Sequence, residues 1–294
     1  MEKSSYIGRF APSPTGKLHQ GSLFAAFASY CDAMQNSGSW LLRIEDLDPP
    51  RESPGASESF IQTLKHYGFH FNADIVFQSN PKRQSAYQQA LDELLKNKKV
   101  YYCTCSRKEL LKTTATATEH RCREVYHQPE QAHSIKLKAI DKTLEFNDRI
   151  QGKYRKNLLL DCGDVVLKRK DGLFSYQLAV VVDDNYQKIT DIVRGIDLID
   201  STPWQIYLNS LLGFKQPRYA HIPTLNNQQG QKLSKQTHAQ EISNNNPLSS
   251  LLKIYAYFKL KPFAHQPKTL NQFWQHAISC WDVNKISKTT AILV

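Results

Sequence analysis

Apolar residues recur along this chain in alternating blocks, and their spacing predicts its elements. Residues 6–10 read as a short strand running into Ala11-Pro12-Ser13-Pro14-Thr15-Gly16, where two prolines fix φ and bar both helix and central strand. From residue 20 to 35, Leu23, Phe24, Phe27, Tyr30, Cys31 and Met34 fall at helical spacing, with Gly38 as a stop. Residues 40–45 form an apolar strand, followed by a loop rich in Asp, Pro, Gly and Ser, and helical patterns return at 57–67 and 81–96. Such alternation predicts an α/β fold on a parallel sheet. Residues 101–127, rich in Cys and Thr, break the rhythm, and residues 135–170 are polar, basic and strand-like in patches. The alternation resumes at 176–183 and 189–194, with a helix over 202–212. An Asn-rich linker at 244–247 then precedes two helical stretches near 248–258 and 270–280. The organisation expected is a first half of the α/β domain at 1–98, a basic insertion at 99–170, a second half at 171–240 and a short helical C-terminal region at 241–294.

Composition adds exclusions. Of 294 residues, 40% are hydrophobic and 22% charged, which fits a globular protein and is too apolar for disorder. The most compact apolar run, residues 178–182, is far shorter than the ~20 residues that span a membrane. No apolar stretch of a secretory signal occurs in residues 1–10. Six cysteines in a chain this long do not make a disulfide framework, so a cytoplasmic protein is expected, and a monomer. Charge changes the picture more. Lys and Arg total 38 against 27 Asp and Glu, a net +11, and residues 96–170 alone carry 18 against 9. A positive block suits a polyanionic partner, because phosphate contacts release counterions; a solvated basic face is the plainer alternative.

Two short segments carry candidate chemistry. In the first, His19-Gln20-Gly21-Ser22 follows Arg9-Phe10-Ala11-Pro12-Ser13-Pro14-Thr15-Gly16-Lys17-Leu18, placing a His and a Gly at the mouth of a strand-to-helix turn. Glycine lets backbone approach a ligand, and a helix N-terminus offers unpaired N–H groups to an anion. The second, Lys232-Leu233-Ser234-Lys235-Gln236, bears two lysines suited to a polyphosphate. Three thiols, Cys103, Cys105 and Cys122, lie within 20 residues and favour a structural zinc over a disulfide, with incidental buried cysteines as the alternative. Cys31 sits on an apolar helical face and is expected in the core.

Together, His19–Ser22 and Lys232–Lys235 resemble the two signature motifs of class I aminoacyl-tRNA synthetases, whose Rossmann-like catalytic domain is the fold this implies. Arg-Phe-Ala-Pro-Ser-Pro-Thr-Gly before His19, Leu42-Arg43-Ile44-Glu45-Asp46-Leu47-Asp48 and Tyr176-Gln177-Leu178-Ala179-Val180-Val181-Val182-Asp183-Asp184 resemble the glutamyl branch. The likeness runs from about residue 6 to 236. Departures are Gln20 for an apolar residue, Ser22 for a second His, and Gln236 where Ser or Arg often closes the loop.

The resemblance implies that His19 and Lys235, with Lys232 holding the loop, compensate charge on ATP, and that Gly21 also meets the nucleotide. It implies a glutamate pocket of Arg9, Ala11, Ser13, Glu45, Tyr176 and Arg194, with Glu45 facing the ammonium and Tyr176 and Arg194 the side-chain carboxylate. Mg accompanies ATP. For the zinc, relatives supply a Tyr four residues before the last Cys; here that position is Thr118, leaving His120, then Glu119 and His127, as substitutes. Only 58 residues follow Gln236, too few for a large anticodon-binding region, and this resembles the glutamyl-queuosine tRNA(Asp) synthetases. These activate L-glutamate with ATP without tRNA and transfer it to queuosine, the wobble base of tRNA(Asp), whose anticodon arm would meet the basic insertion. Tyr101, Tyr102, Tyr126 and Tyr154 are candidates to stack on its bases, or core and surface residues. Alternatives are a truncated glutamyl-tRNA synthetase charging the 3′ end of tRNA(Glu), and an inactive zinc-containing RNA-binding relic.

Overall fold

The computed structural model describes residues 6–106, 108–109, 121–233, 242 and 245–294. The first half runs β1 (Ile7–Phe10), α1 (Gln20–Gln35), β2 (Ser39–Ile44), α2 (Ala56–His66), β3 (Val76–Phe77) and α3 (Pro81–Lys96). The insertion contributes β4 (Val100–Cys103), β5 (Ser134–Leu137), β6 (Thr143–Asp148), β7 (Gly152–Asn157) and β8 (Val165–Lys168). There follow α4 (Tyr176–Tyr186), β9 (Asp191–Gly195), α5 (Thr202–Leu211), β10 (Arg218–Ile222) and β11 (Thr224–Asn226). Last come α6 (Pro247–Tyr257), α7 (Leu270–Cys280) and β12 (Ala291–Leu293). Helices α1 and α3 have the predicted bounds because their ends are marked chemically. His19 caps α1 by accepting the Ser22 N–H, and Asn80 caps α3 ahead of Pro81, whose missing N–H costs nothing in a first turn.

The alternation does produce a parallel α/β core. Strand β1 pairs parallel with β2, β2 with β3, and β9 with β10. Thr190 donates its N–H to the Ile7 carbonyl at 2.9 Å, so β1 and β9 run side by side. The order reverses at β1, and in open parallel sheets ligands bind beyond the strand ends at such a reversal. Residues 176–183 belong to α4, where every residue from Leu178 to Asp184 is buried: a helix enclosed on all sides shows no amphipathic period.

The insertion is antiparallel. Strands β4, β5 and β8 make one sheet, packed with α3, α4 and α5 around Leu91, Val100, Leu167, Leu178 and Leu208. Strands β6 and β7 form a hairpin whose Phe146 packs against Leu41, Ile192 and Tyr219. Residues 247–294 share the core of α1. Phe27 is fully buried, with ring centroids 5.3 Å from Phe258, 5.6 Å from Trp274 and 6.1 Å from Trp281. Cys31 is fully buried beside it, as expected of an apolar helical face. Strand β12 pairs parallel with β11. No helix among the described residues is long and apolar enough to cross a membrane.

Because Phe27 joins α1 to both C-terminal helices, Phe27→Ala should cost about 3–5 kcal/mol, the usual range for a large aromatic removed from a packed core. Urea unfolding measures this; an unchanged midpoint would show that the C-terminal helices do not depend on α1.

Candidate active site

Loops at the C-terminal ends of β1, β2, β9 and β10 enclose a cleft. The loop after β1 is held by the one after β2: Glu45 N–H donates to the Pro12 carbonyl, and Ser53 binds the carbonyls of Pro14 and Thr15. Prolines at 12 and 14 stiffen the same stretch. A cavity of about 270 Å³ is lined by Ala11, Ser13, Thr15, Lys17, His19 and Gly21 on one side and by Gly195, Asp197, Pro223, Lys232 and Leu233 on the other. Residues 213 positions apart in sequence therefore face one space. Their proximity is direct, since a Cβ on Gly21 would lie 3.0 Å from the Leu233 carbonyl oxygen and 3.1 Å from the His19 ring. Only glycine leaves that approach unstrained.

His19 Nδ1 accepts the Ser22 N–H at 3.2 Å, so Nε2 carries the proton, 3.1 Å from Ser22 Oγ. Burial, and then the nearby charge of Lys232, lower its pKa to about 4, leaving the imidazole neutral near pH 7. Lys232 Nζ pairs with Asp197 Oδ2 at 2.7 Å, and Leu233 N–H binds the Leu225 carbonyl, tying the start of the lysine segment to β11. A helix N-terminus and lysines around one cavity can receive an anionic group. Lys235 and its neighbours Ser234 and Gln236 lie outside the described residues.

A second cavity, about 210 Å³, shares Ser13 and Thr15 with the first and is lined further by Glu45, Asp48, Arg51, Glu52, Arg169, Ser175 and Tyr176. Behind it lies a buried charge cluster. Asp184 accepts from Arg9 Nε at 3.1 Å and from Arg43 Nη1 at 2.8 Å, and Arg43 Nη2 reaches Glu45 at 3.4 Å. Asp183 takes bonds from Gln78, Arg83 and Tyr87. Burial raises the pKa of Glu45, with Arg43 and Arg9 opposing; burial also works on Asp184, but Arg9 and Arg43 outweigh it and hold that carboxyl low. Arg194 donates to Tyr176 Oη at 3.1 Å, Thr202 Oγ1 at 2.9 Å and His221 Nε2 at 3.0 Å.

The structure thus brings His19, Gly21, Ala11, Ser13 and Lys232 around the first cavity and Ser13, Glu45 and Tyr176 around the second, while Arg9 and Arg194 sit one layer behind. Sequence reasoning missed Asp197 and His221, and quoted Arg43 and Asp184 in matched segments without a role. A buried charge needs a partner, and that rule is the only hint the sequence holds to their pairing.

Cys103, Cys105 and Cys122 are all buried with sulfurs within 4.8 Å of one another, a group that could hold a metal ion. The Cys105–Cys122 separation of 3.7 Å excludes a disulfide and matches the ~3.8 Å edge of a tetrahedron with 2.3 Å metal–sulfur bonds. His127 is solvent-exposed and is not among the clustered ligands; Thr118, Glu119 and His120 lie outside the described residues. Tyr101 and Tyr102 are buried, so neither is a stacking platform.

The sequence pattern of the tRNA synthetases class I (E and Q), catalytic domain, matches residues 7–248, and the chain belongs to that family. Its curated relatives are more particular. A protein of Pseudomonas putida, 51% identical over 235 residues covering 80% of this chain and 77% of its own, carries the name Glutamyl-Q tRNA(Asp) synthetase. So does one of Escherichia coli K12, 41% identical over 99% of this chain and 94% of its own. The crystal structure of glutamate-tRNA synthetase from Elizabethkingia anophelis superposes with a TM-score of 0.81 at 24% identity, covering 97% of this chain and 67% of that one, a likeness of fold.

His19 makes a prediction about acid. Its folded-state pKa lies below the ordinary 6.5, so unfolding takes up a proton and stability falls as pH drops from about 6.5 to 4. His19→Gln should lessen that loss, read as urea midpoints at pH 7 and 4.5. Equal acid dependence in both proteins would exclude His19 as a cause.

Proposed function

We propose that this protein activates L-glutamate with ATP, without tRNA, and transfers the glutamyl group to the queuosine base at the wobble position of tRNA(Asp). The observation that carries the reading is the cavity joining the histidine turn to the lysine segment, with a carboxylate-, arginine- and tyrosine-lined cavity against the same Ser13–Thr15 wall. The names of the relatives support the amino acid and the acceptor.

In the first step a glutamate α-carboxylate oxygen attacks the α-phosphorus, and pyrophosphate leaves. Charge rises on the phosphates, and catalysis of such a step rests on positioning and electrostatic compensation. The N-terminus of α1 with His19 and Gly21, together with Lys232 and Lys235, is assigned that role, and Mg²⁺ accompanies ATP. Neutral His19 acts as a donor of Nε2–H rather than as a charge. Ser13, Glu45 and Tyr176 hold the amino acid, Glu45 toward its ammonium; Ala11 offers close backbone. Arg9 and Arg194 act from behind that wall, and Arg194 suits the side-chain carboxylate because its acceptors among the described residues, the Tyr176 and Thr202 hydroxyls, the Leu198 carbonyl and the His221 ring, are all neutral. In the second step a queuosine hydroxyl oxygen attacks the acyl carbon, releasing AMP and the hydroxyl proton.

The insertion is assigned to the anticodon arm. Lys96, Lys98, Lys99, Lys142 and Arg155 are exposed on it or beside it, and Lys98 and Lys138 flank the Tyr126 ring at 5.4 and 4.6 Å. The three cysteines are assigned a structural zinc, which ties Cys105 and Cys122 to Cys103 at the end of β4. A cytoplasmic monomer completes the proposal.

The test is glutamate transfer to tRNA(Asp) from cells with and without queuosine, alongside ATP–pyrophosphate exchange with glutamate alone. Exchange without tRNA, and transfer only to the modified tRNA, is expected. Charging of unmodified tRNA(Glu) instead would overturn the reading in favour of a glutamyl-tRNA synthetase. For the metal, elemental analysis should find about one zinc per chain, lost in Cys103→Ser, with thermal stability lowered more than exchange activity. Metal-free protein of undiminished stability would defeat the assignment.

A further inference from the structure

Arg194 is 5% exposed, and its hydrogen-bond acceptors are neutral: the Tyr176 and Thr202 hydroxyls, the Leu198 carbonyl and the ring nitrogen of His221. Its guanidinium also lies 5.5 Å from the Tyr219 ring centroid. Buried arginines usually pair with carboxylates, as Arg9 and Arg43 do here. Behind Arg194, a carboxylate is present but one residue removed. Asp148, at the end of β6, binds His221 Nδ1 at 2.6 Å and also takes the backbone N–H groups of Ile150, Gln151 and His221. With Nδ1 donating to Asp148, Nε2 is left as an acceptor, aimed at Arg194 Nε. His221 is fully enclosed, and burial lowers its pKa, Arg194 and Arg9 acting in the same direction and Asp148 against.

We infer that His221, held in the Nδ1–H form by Asp148, is a positioning residue that fixes Arg194 without neutralising it, and so sets selectivity for a dicarboxylic amino acid over its amide. The inference rests on the proposed glutamate pocket. A carboxylate in the place of His221 would orient Arg194 equally well but would cancel the charge offered to the substrate. Imidazole orients it and leaves that charge to be met by the ligand. Charge-assisted bonds exceed neutral ones, so the uncancelled guanidinium favours glutamate over glutamine.

Two substitutions separate orientation from structure. In His221→Asn the amide can still reach Asp148, where Nδ1 stood, but falls short of Arg194. In His221→Gln the amide oxygen reaches Arg194, where Nε2 stood, and Asp148 keeps its three backbone donors in either variant. ATP–pyrophosphate exchange should show the KM for glutamate raised on the order of tenfold in His221→Asn, the KM for ATP unchanged and the preference for glutamate over glutamine reduced; His221→Gln should stay near wild type. Equal glutamate KM in both variants, or glutamate and ATP KM rising together, would overturn the inference. Two-bond ¹H–¹⁵N spectra of the whole protein should show His221 as the Nδ1–H tautomer at pH 7, and the Nε2–H tautomer would overturn it too. Wild-type protein inert toward glutamate would defeat the functional reading instead, with the tautomer still deciding the His221–Arg194 pairing.

Discussion

Asp184 accepts from two guanidiniums at once, Arg9 on β1 and Arg43 on β2, and itself belongs to α4. Three segments that are far apart in sequence are thereby pinned at one end of the parallel sheet. Buried ion pairs of this kind add little net stability against apolar replacements, but removing one partner strands a charge and costs several kcal/mol. Their effect is geometric. With Arg9 and Arg43 tied to Asp184, Glu45 is held at 3.4 Å from Arg43 with its side chain 8% exposed, on the wall of the second cavity.

From that anchor the remaining arrangement follows. Loops leaving β1, β2, β9 and β10 converge where the strand order reverses, and the cleft forms there. The proline-stiffened loop after β1 divides the space, contributing Ser13 and Thr15 to both cavities. On the far side, β11 carries the lysine segment on one edge and β12 on the other, so a strand at residues 291–293 braces residues that face the cleft. The insertion joins this centre in two ways: the β6–β7 hairpin brings Asp148 to His221, and Arg169 beyond β8 pairs with Asp48 at 2.9 Å.

Local chemistry made much of this legible in the linear chain. The capped helices α1 and α3 have the predicted ends, and the parallel α/β core follows from alternation. Residues 176–183 resisted an assignment to helix or strand because a run buried on every side carries no period. The thiol spacing at 103, 105 and 122 indicated convergence, which the buried sulfurs display; it could not indicate that His127 faces solvent, since exposure depends on packing. Nor could the aromatic content of the insertion separate buried Tyr101 and Tyr102 from outward positions.

By itself, then, the sequence determined the order of elements, the rigid loop, the glycine that permits close approach, the basic block and the family likeness, because each depends on neighbours a few residues away or on residue identity. Tertiary structure alone decided which charges meet. Arg9 with Asp184, Lys232 with Asp197, and Arg194 with His221 and through it Asp148 are pairs from 27 to 175 positions apart. Desolvation makes a partner obligatory for each buried charge, but chain topology selects which partner lies within reach.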